Sequence, residues 1–144
     1  MALTVKIINK SKHRLPEYET PGAACMDLKA NTDEPLILEG KSSIVIPTGI
    51  YIAIPEGFEG TIRSRSGLAF KYDICAFHGE IDSDYRGEIK VKLFNFSNDR
   101  FLIHPGERIA QLKIASFERV KWEEVSTLPE TKRGEGGFGS TGNK

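Results

Sequence analysis

Between Gly79 and Gly87 the chain places Glu80, Asp82, Asp84, Tyr85 and Arg86 in one short polar stretch. An ionised carboxylate offers only acceptor positions, so it can hold a water or a sugar hydroxyl and can take a proton from a nucleophile. Asp82 and Asp84 therefore suggest water aimed at an electrophile; an Asp-rich turn with a solvated tyrosine is the plainer alternative. A second group, Arg63-Ser64-Arg65-Ser66-Gly67, combines guanidinium forks, hydroxyls and a backbone N–H freed by glycine. These are the groups that hold phosphate oxygens. Ser66-Gly67 can open a short helical turn whose N-terminus adds its dipole, with Leu68, Ala69 and Phe70 seating it; a solvated Arg/Ser loop is the alternative.

A third group lies near the end of the chain, where Arg133, Phe138, Ser140 and Thr141 stand in a scaffold of glycines. Its donors suit phosphate and its phenyl ring suits a planar base. Such a segment has too little apolar area to order itself and is expected to be mobile until something binds, unless it is simply a flexible extension. Asp27, set between apolar neighbours in Cys25-Met26-Asp27-Leu28, must be hydrogen-bonded or paired if buried, either as support for a site or as a turn cap. Gln111 points away from the face shared by Ala110, Leu112 and Ile114, where its amide meets an anion or water.

The elements that must position these groups are short strands. Thr4–Ile8 reads as a first strand and Asn9–Pro21 as a surface loop. Leu36–Leu38, Ser42–Ile46, Gly49–Ile54 and Gly57–Arg63 follow one another, punctuated by Glu39-Gly40, Pro47 and Pro55-Glu56-Gly57. That spacing belongs to a sandwich or barrel of antiparallel neighbours, and nothing between these strands is long enough for a stable helix. Ile89, Val91 and Leu93 alternate with Glu88, Lys90 and Lys92, so a half-buried strand leaves the acidic turn and sets Asp82 and Asp84 at its mouth. Phe101–Ile103 and Arg108–Ile114 continue the series, and Val120–Val125 is the last strand-like piece, its Trp122 expected to pack.

With 144 residues, 20 basic and 20 acidic side chains and net charge zero, one globular domain is expected. The absence of a Lys/Arg run speaks against nucleic acid or an anionic membrane surface as partner, and no apolar run reaches the length of a membrane span. Two cysteines, Cys25 and Cys75, behind a start without an apolar leader point to a reducing compartment, the cytoplasm, and to plain packing roles. His13, His78 and His104 show no zinc-type spacing with them.

Read in order, the segments Ala24–Leu28, Arg65–Ala69, Gly79–Gly87, Gly106–Leu112 and Arg133–Gly142 resemble those of the trimeric dUTPase family across nearly the whole chain. The resemblance implies an all-β, jelly-roll-like or distorted-barrel domain over residues 1–128 with at most one short helix, and a mobile Gly-rich arm over 129–144. It implies a homotrimer whose sites lie at subunit boundaries, and hydrolysis of dUTP to dUMP and pyrophosphate, which clears dUTP from the nucleotide pool and supplies the precursor of dTTP. By the same resemblance, Mg2+ is expected to ride on the triphosphate with no side chain ligating it directly. Asp82 resembles the family's catalytic carboxylate, which holds the sugar 3′-hydroxyl and orients water at the α-phosphorus. Tyr85 resembles the ring under the deoxyribose, and Gly79 and Ile81 are expected among the substrate contacts. Arg65, Ser66, Gly67 and Gln111 resemble the family's phosphate binders, with Asp27 as their support. Arg133, Gly139, Ser140 and Thr141 are expected to close on the γ-phosphate while Phe138 stacks on the uracil.

Four residues depart from the family pattern. Cys25 replaces the usual Gly, Ser64 a common Pro, Ala76 the Asn of many bacterial members, and Glu80 an apolar residue. Residues two apart share a face in an extended segment, so Glu80, with Ala76 and His78, is a candidate for shifting base preference or pH optimum. Two relatives on the same fold are the rival readings. In the dCTP deaminases a catalytic Glu stands where this chain has Lys92, which counts against deamination. A non-catalytic nucleotide sensor or partner-binding protein is disfavoured by intact Asp82, Tyr85, Arg133 and Phe138. A plain structural jelly roll leaves the anion-binding groups unexplained.

Overall fold

Runs of β-branched and aromatic residues, cut short by Gly and Pro, pair antiparallel throughout the computed structural model, which describes residues 2–143. The strands are β1 (Lys6–Asn9), β2 (Met26–Lys29), β3 (Leu36–Leu38), β4 (Ser43–Pro47), β5 (Ile50–Ala53) and β6 (Phe58–Arg63). After one helix, α1 (Ser66–Tyr72), come β7 (Ile74–Ala76), β8 (Glu80–Ile81), β9 (Lys90–Asn95), β10 (Phe101–Ile103) and β11 (Arg108–Ser116). They form four small sheets, in the orders β1-β5, β10-β3, β2-β11-β6-β8 and β4-β9-β7. No closed barrel results; the architecture is a distorted jelly roll. The one helix is seven residues long, and among the described residues none is long and apolar enough to cross a membrane.

The core lies between the two larger sheets. Alternation in β9 turns Val91 and Leu93 inward and Lys90 and Lys92 outward, as the sequence pattern predicts, while Leu28, Ile46, Ile74, Ile89, Ile103 and Ile109 complete the interior. Each such side chain contributes about 1.5–3 kcal/mol on burial, so the frame behind the polar turns is rigid. Thr48 and Gly49 brace the strand carrying those turns: Thr48 Oγ1 donates to the Ile89 carbonyl (2.6 Å) and Gly49 N–H to Glu88 Oε1 (2.9 Å). Gly49 has φ +70°, and a Cβ there would sit 2.8 Å from the Asn31 amide, so only glycine fits.

Three expectations need correction. The first strand is Lys6–Asn9, two residues beyond its predicted start, because pairing with β5 runs on to Asn9↔Ile50. Residues 120–125 form no strand and Trp122 is 89% exposed; among the described residues no strand pairs with that segment. Phe70 does not seat the helix; it is 90% exposed, and Leu68 alone of the three packs against the core.

Candidate active site

The nine-residue β11 is the spine of the first half of the site. It pairs on one side with β2, setting Gln111 opposite Asp27, and on the other with β6, setting Gln111 opposite Arg63. Asp27 is only 6% exposed, and its carboxylate is filled. Oδ1 forms an ion pair with Arg65, 3.2 Å from its Nε, and accepts from Gln111 Nε2 at 3.5 Å, and Oδ2 accepts from Arg108 Nη1 at 3.4 Å. Arg65 Nη1 also donates to the Arg108 carbonyl (3.2 Å), and Arg108 Nη1 lies 3.2 Å from Glu19 Oε1. A buried carboxylate with such partners is an anchor rather than a cap: it holds two guanidinium groups at the sheet edge with their remaining donors free for an anion.

Sequence reasoning missed Arg108. The register of β11 against β2 shifts between Arg108 and Ala110, so Arg108 stands opposite Lys29 and shares the face of Asp27, while Ile109 and Ala110 are both buried. Without that bulge the period-two rule turns Arg108 away. Arg65 is also the N-cap of α1, with extended backbone and no side-chain cap bond, so the first N–H groups of Ser66 and Gly67 have no partner within the helix. A Cβ on Gly67 would meet nothing within 4 Å, which leaves the space over this turn open. Ser64 explains its own departure: its hydroxyl accepts from Ala76 N–H (2.9 Å) and pins the approach to α1 against β7.

The second half is a cleft of about 360 Å³ that opens where the chain crosses from one sheet to the other. Phe77 N–H still donates to the Lys92 carbonyl of β9 (2.8 Å), and two residues later Gly79 accepts from Ile62 N–H of β6 (2.8 Å). Gly79, Glu80, Ile81, Asp82 and Tyr85 all line the cleft. Ile81 is buried and fixes β8, whereas Asp82 is exposed, with no side-chain hydrogen bond among the described residues. The Tyr85 hydroxyl donates to the Glu88 carbonyl (2.9 Å), folding the ring back over Gly87, where a Cβ would come within 2.5 Å of the ring carbon Cζ. Gly87 is therefore required by the pose of Tyr85. Val45, Lys90 and Lys92 complete the wall from distant strands. Among the base-selectivity candidates, His78 reaches Glu80 at 2.8 Å, but Ala76 does not line the cleft; its backbone is tied to Ser64.

One chain does not bring the whole set together. The cleft of Asp82 is lined by none of Arg65, Ser66, Gly67, Arg108 or Gln111. In the tail, the side chains of Arg133 and Thr131 bond only to Gly136 and Gly134, and the backbone bonds of residues 131–142 stay local among the described residues. Phe138 is fully exposed. A larger apolar groove of about 530 Å³, walled by Leu3, Val5, Tyr18, Ile52 and Phe58, holds no candidate site residue.

Comparison with known proteins gives a consistent answer. The family model described as dUTPase matches residues 11–142. The deoxyuridine 5′-triphosphate nucleotidohydrolase of Finegoldia magna is 49% identical over 142 residues, spanning 97% of this chain and 99% of that protein. That of Rickettsia conorii is 51% identical over 140 residues, spanning 96% and 95%. Among solved structures, the Staphylococcus bacteriophage 80alpha dUTPase with dUPNHPP has a TM-score of 0.88 and 29% identity, covering 98% of this chain and 99% of the other.

Proposed function

The chain belongs to the dUTPase family, and from that premise we propose how its own residues divide the work of hydrolysing dUTP to dUMP and pyrophosphate. Asp82 accepts the sugar 3′-hydroxyl and a proton of the attacking water, directing the water oxygen at the α-phosphorus. The new P–O bond forms as the bond to the bridging oxygen breaks, and the β- and γ-phosphates leave as pyrophosphate. Tyr85 walls the sugar, and Gly79 and Ile81 offer backbone groups to the base. Arg65, Ser66, Gly67 and Gln111, with Arg108 added, hold the phosphates, and Arg133, Gly139, Ser140 and Thr141 close over them as Phe138 covers the base.

The observation that carries this reading is the Asp27 cluster. Two arginines and an amide are held in place before any ligand arrives, which is what a transition state rich in negative charge requires. Magnesium, when bound, neutralises phosphate charge and orients the leaving group. Among the described residues no group of three or more His, Cys, Asp or Glu can hold a metal, and the Asp27 oxygens are already engaged, so the donor set fits an ion carried in on the triphosphate.

We further propose a homotrimer working in the cytoplasm, with each site built from different copies and completed by the arm beyond residue 128. Two features support this. The phosphate-binding group and the Asp82 cleft are separate within one chain, and Val120, Trp122, Val125 and Leu128 are exposed along a segment without a partner strand. Such an apolar series in water calls for a covering surface. The test is pyrophosphate release from dUTP by the purified chain, with mass determination in solution. Cleavage of dUTP by a species three times the 16.0 kDa chain is expected. No pyrophosphate, or full activity in a monomer, rejects the proposal.

A further inference from the structure

Besides Asp82, the wall of the cleft carries two carboxylates, Glu88, engaged by Gly49 N–H, and Glu80. Glu80 lies opposite Thr61 in the ladder between β6 and β8, two residues before Asp82, and both side chains line the cleft. Its Oε1 is 2.8 Å from Nε2 of His78, and both side chains are about half exposed, at 52% and 53%. The other carboxylate oxygen has no hydrogen-bond partner among the described residues. The other charged groups on the wall are Asp82, Glu88, Lys90 and Lys92. Neither lysine pairs with Glu80; Lys92 Nζ rests 5.3 Å over the Phe94 ring. The cleft thus contains an acceptor that is fixed through one oxygen and open through the other.

Pyrimidines differ at C4 in the sense this acceptor reads. Uracil and thymine present a carbonyl oxygen there, which an ionised carboxylate repels, whereas cytosine presents an amino group, which acidic side chains accept from. We propose that Glu80 is a specificity-determining residue that narrows the margin between uracil and cytosine nucleotides, and that His78 limits the effect by holding one of its oxygens. This rests on the reading of the cleft as the nucleoside end of the site. dUTP remains the better substrate, and 4-amino pyrimidines are penalised less than an apolar side chain at this position allows.

The experiment compares kcat/KM for dUTP and dCTP in the full chain and in Glu80→Val, Glu80→Gln, His78→Ala and the double variant His78→Ala/Glu80→Val. The dUTP:dCTP ratio is expected to widen about threefold to tenfold in Glu80→Val, a half-exposed contact giving less than a buried one. It should widen in Glu80→Gln too, because the amide can donate to a carbonyl. His78→Ala should narrow it about twofold, and the double variant should match Glu80→Val. That opposition of signs is something a merely distorted cleft does not produce. A ratio unchanged in both Glu80 variants while dUTP turnover persists overturns the role of Glu80 alone. A shift in the same direction for His78→Ala and Glu80→Val overturns it as well. Absence of turnover in the unsubstituted chain overturns the nucleotide reading on which it rests.

Discussion

Asp27 sits inside the sheet with Arg65, Arg108 and Gln111 on its oxygens, whereas Asp82 stands exposed at the mouth of a cleft with its side chain unbonded among the described residues. The same functional group is thereby given two uses. Burial with cationic partners turns the first into a fixed counter-charge that orders other side chains. Exposure at a braced turn leaves the second free to accept from substrate and water. Substitution should separate the two, with loss of the first felt in the fold and its arginines and loss of the second in turnover alone.

The largest expected effect is Asp82→Asn, which should lower kcat by about 10²- to 10⁴-fold while thermal melting stays put. A variant as active as the parent breaks the comparison at once. Ending the chain before Arg133 comes next. Loss of the tail's phosphate donors should reduce turnover by about 10²- to 10³-fold, again without moving the melting curve, because the tail makes only local hydrogen bonds. Asp27→Asn should do the reverse. Leaving Arg65 and Arg108 beside a neutral amide is expected to lower stability by about 1–2 kcal/mol, since both guanidinium groups keep access to water, read by denaturant titration, with weakened phosphate binding appearing as a raised KM. If its melting is unchanged, Asp27 is not the anchor described here. The smallest effect belongs to Ser64→Ala, which removes both hydrogen bonds between this hydroxyl and the Ala76 backbone and should cost about 0.5–1.5 kcal/mol, with a modest loss of turnover as the approach to α1 loosens.

Where local pattern and tertiary packing agreed, the sequence was readable. Alternation about Val91 and Leu93 was enough to place β9 and leave an acidic turn at its mouth, and the isolated Asp27 was rightly suspected of needing partners. What escaped were facts of register and distance. Arg108 reaches Asp27 because of a bulge that no residue type announces. Val45, Lys90 and Lys92 join the cleft wall through pairings of β4 and β9 that a linear reading does not reveal. Trp122 reads as a packing residue because large aromatics usually are; in one chain it stands 89% exposed. At Gly87, only the folded ring of Tyr85 shows that the missing methyl is the point.

With Tyr85 as the proposed wall of the sugar, that ring bears on selection between sugars. Its hydroxyl is tied to the Glu88 carbonyl, and the Glu88 carboxylate to Gly49 in the turn between β4 and β5, so the aromatic plane is set by the framework and does not wait for a visitor. A wall that stands beforehand acts at the moment of docking. A ribose should therefore be turned away chiefly through weaker capture, with little change in the speed of the molecules that do get in.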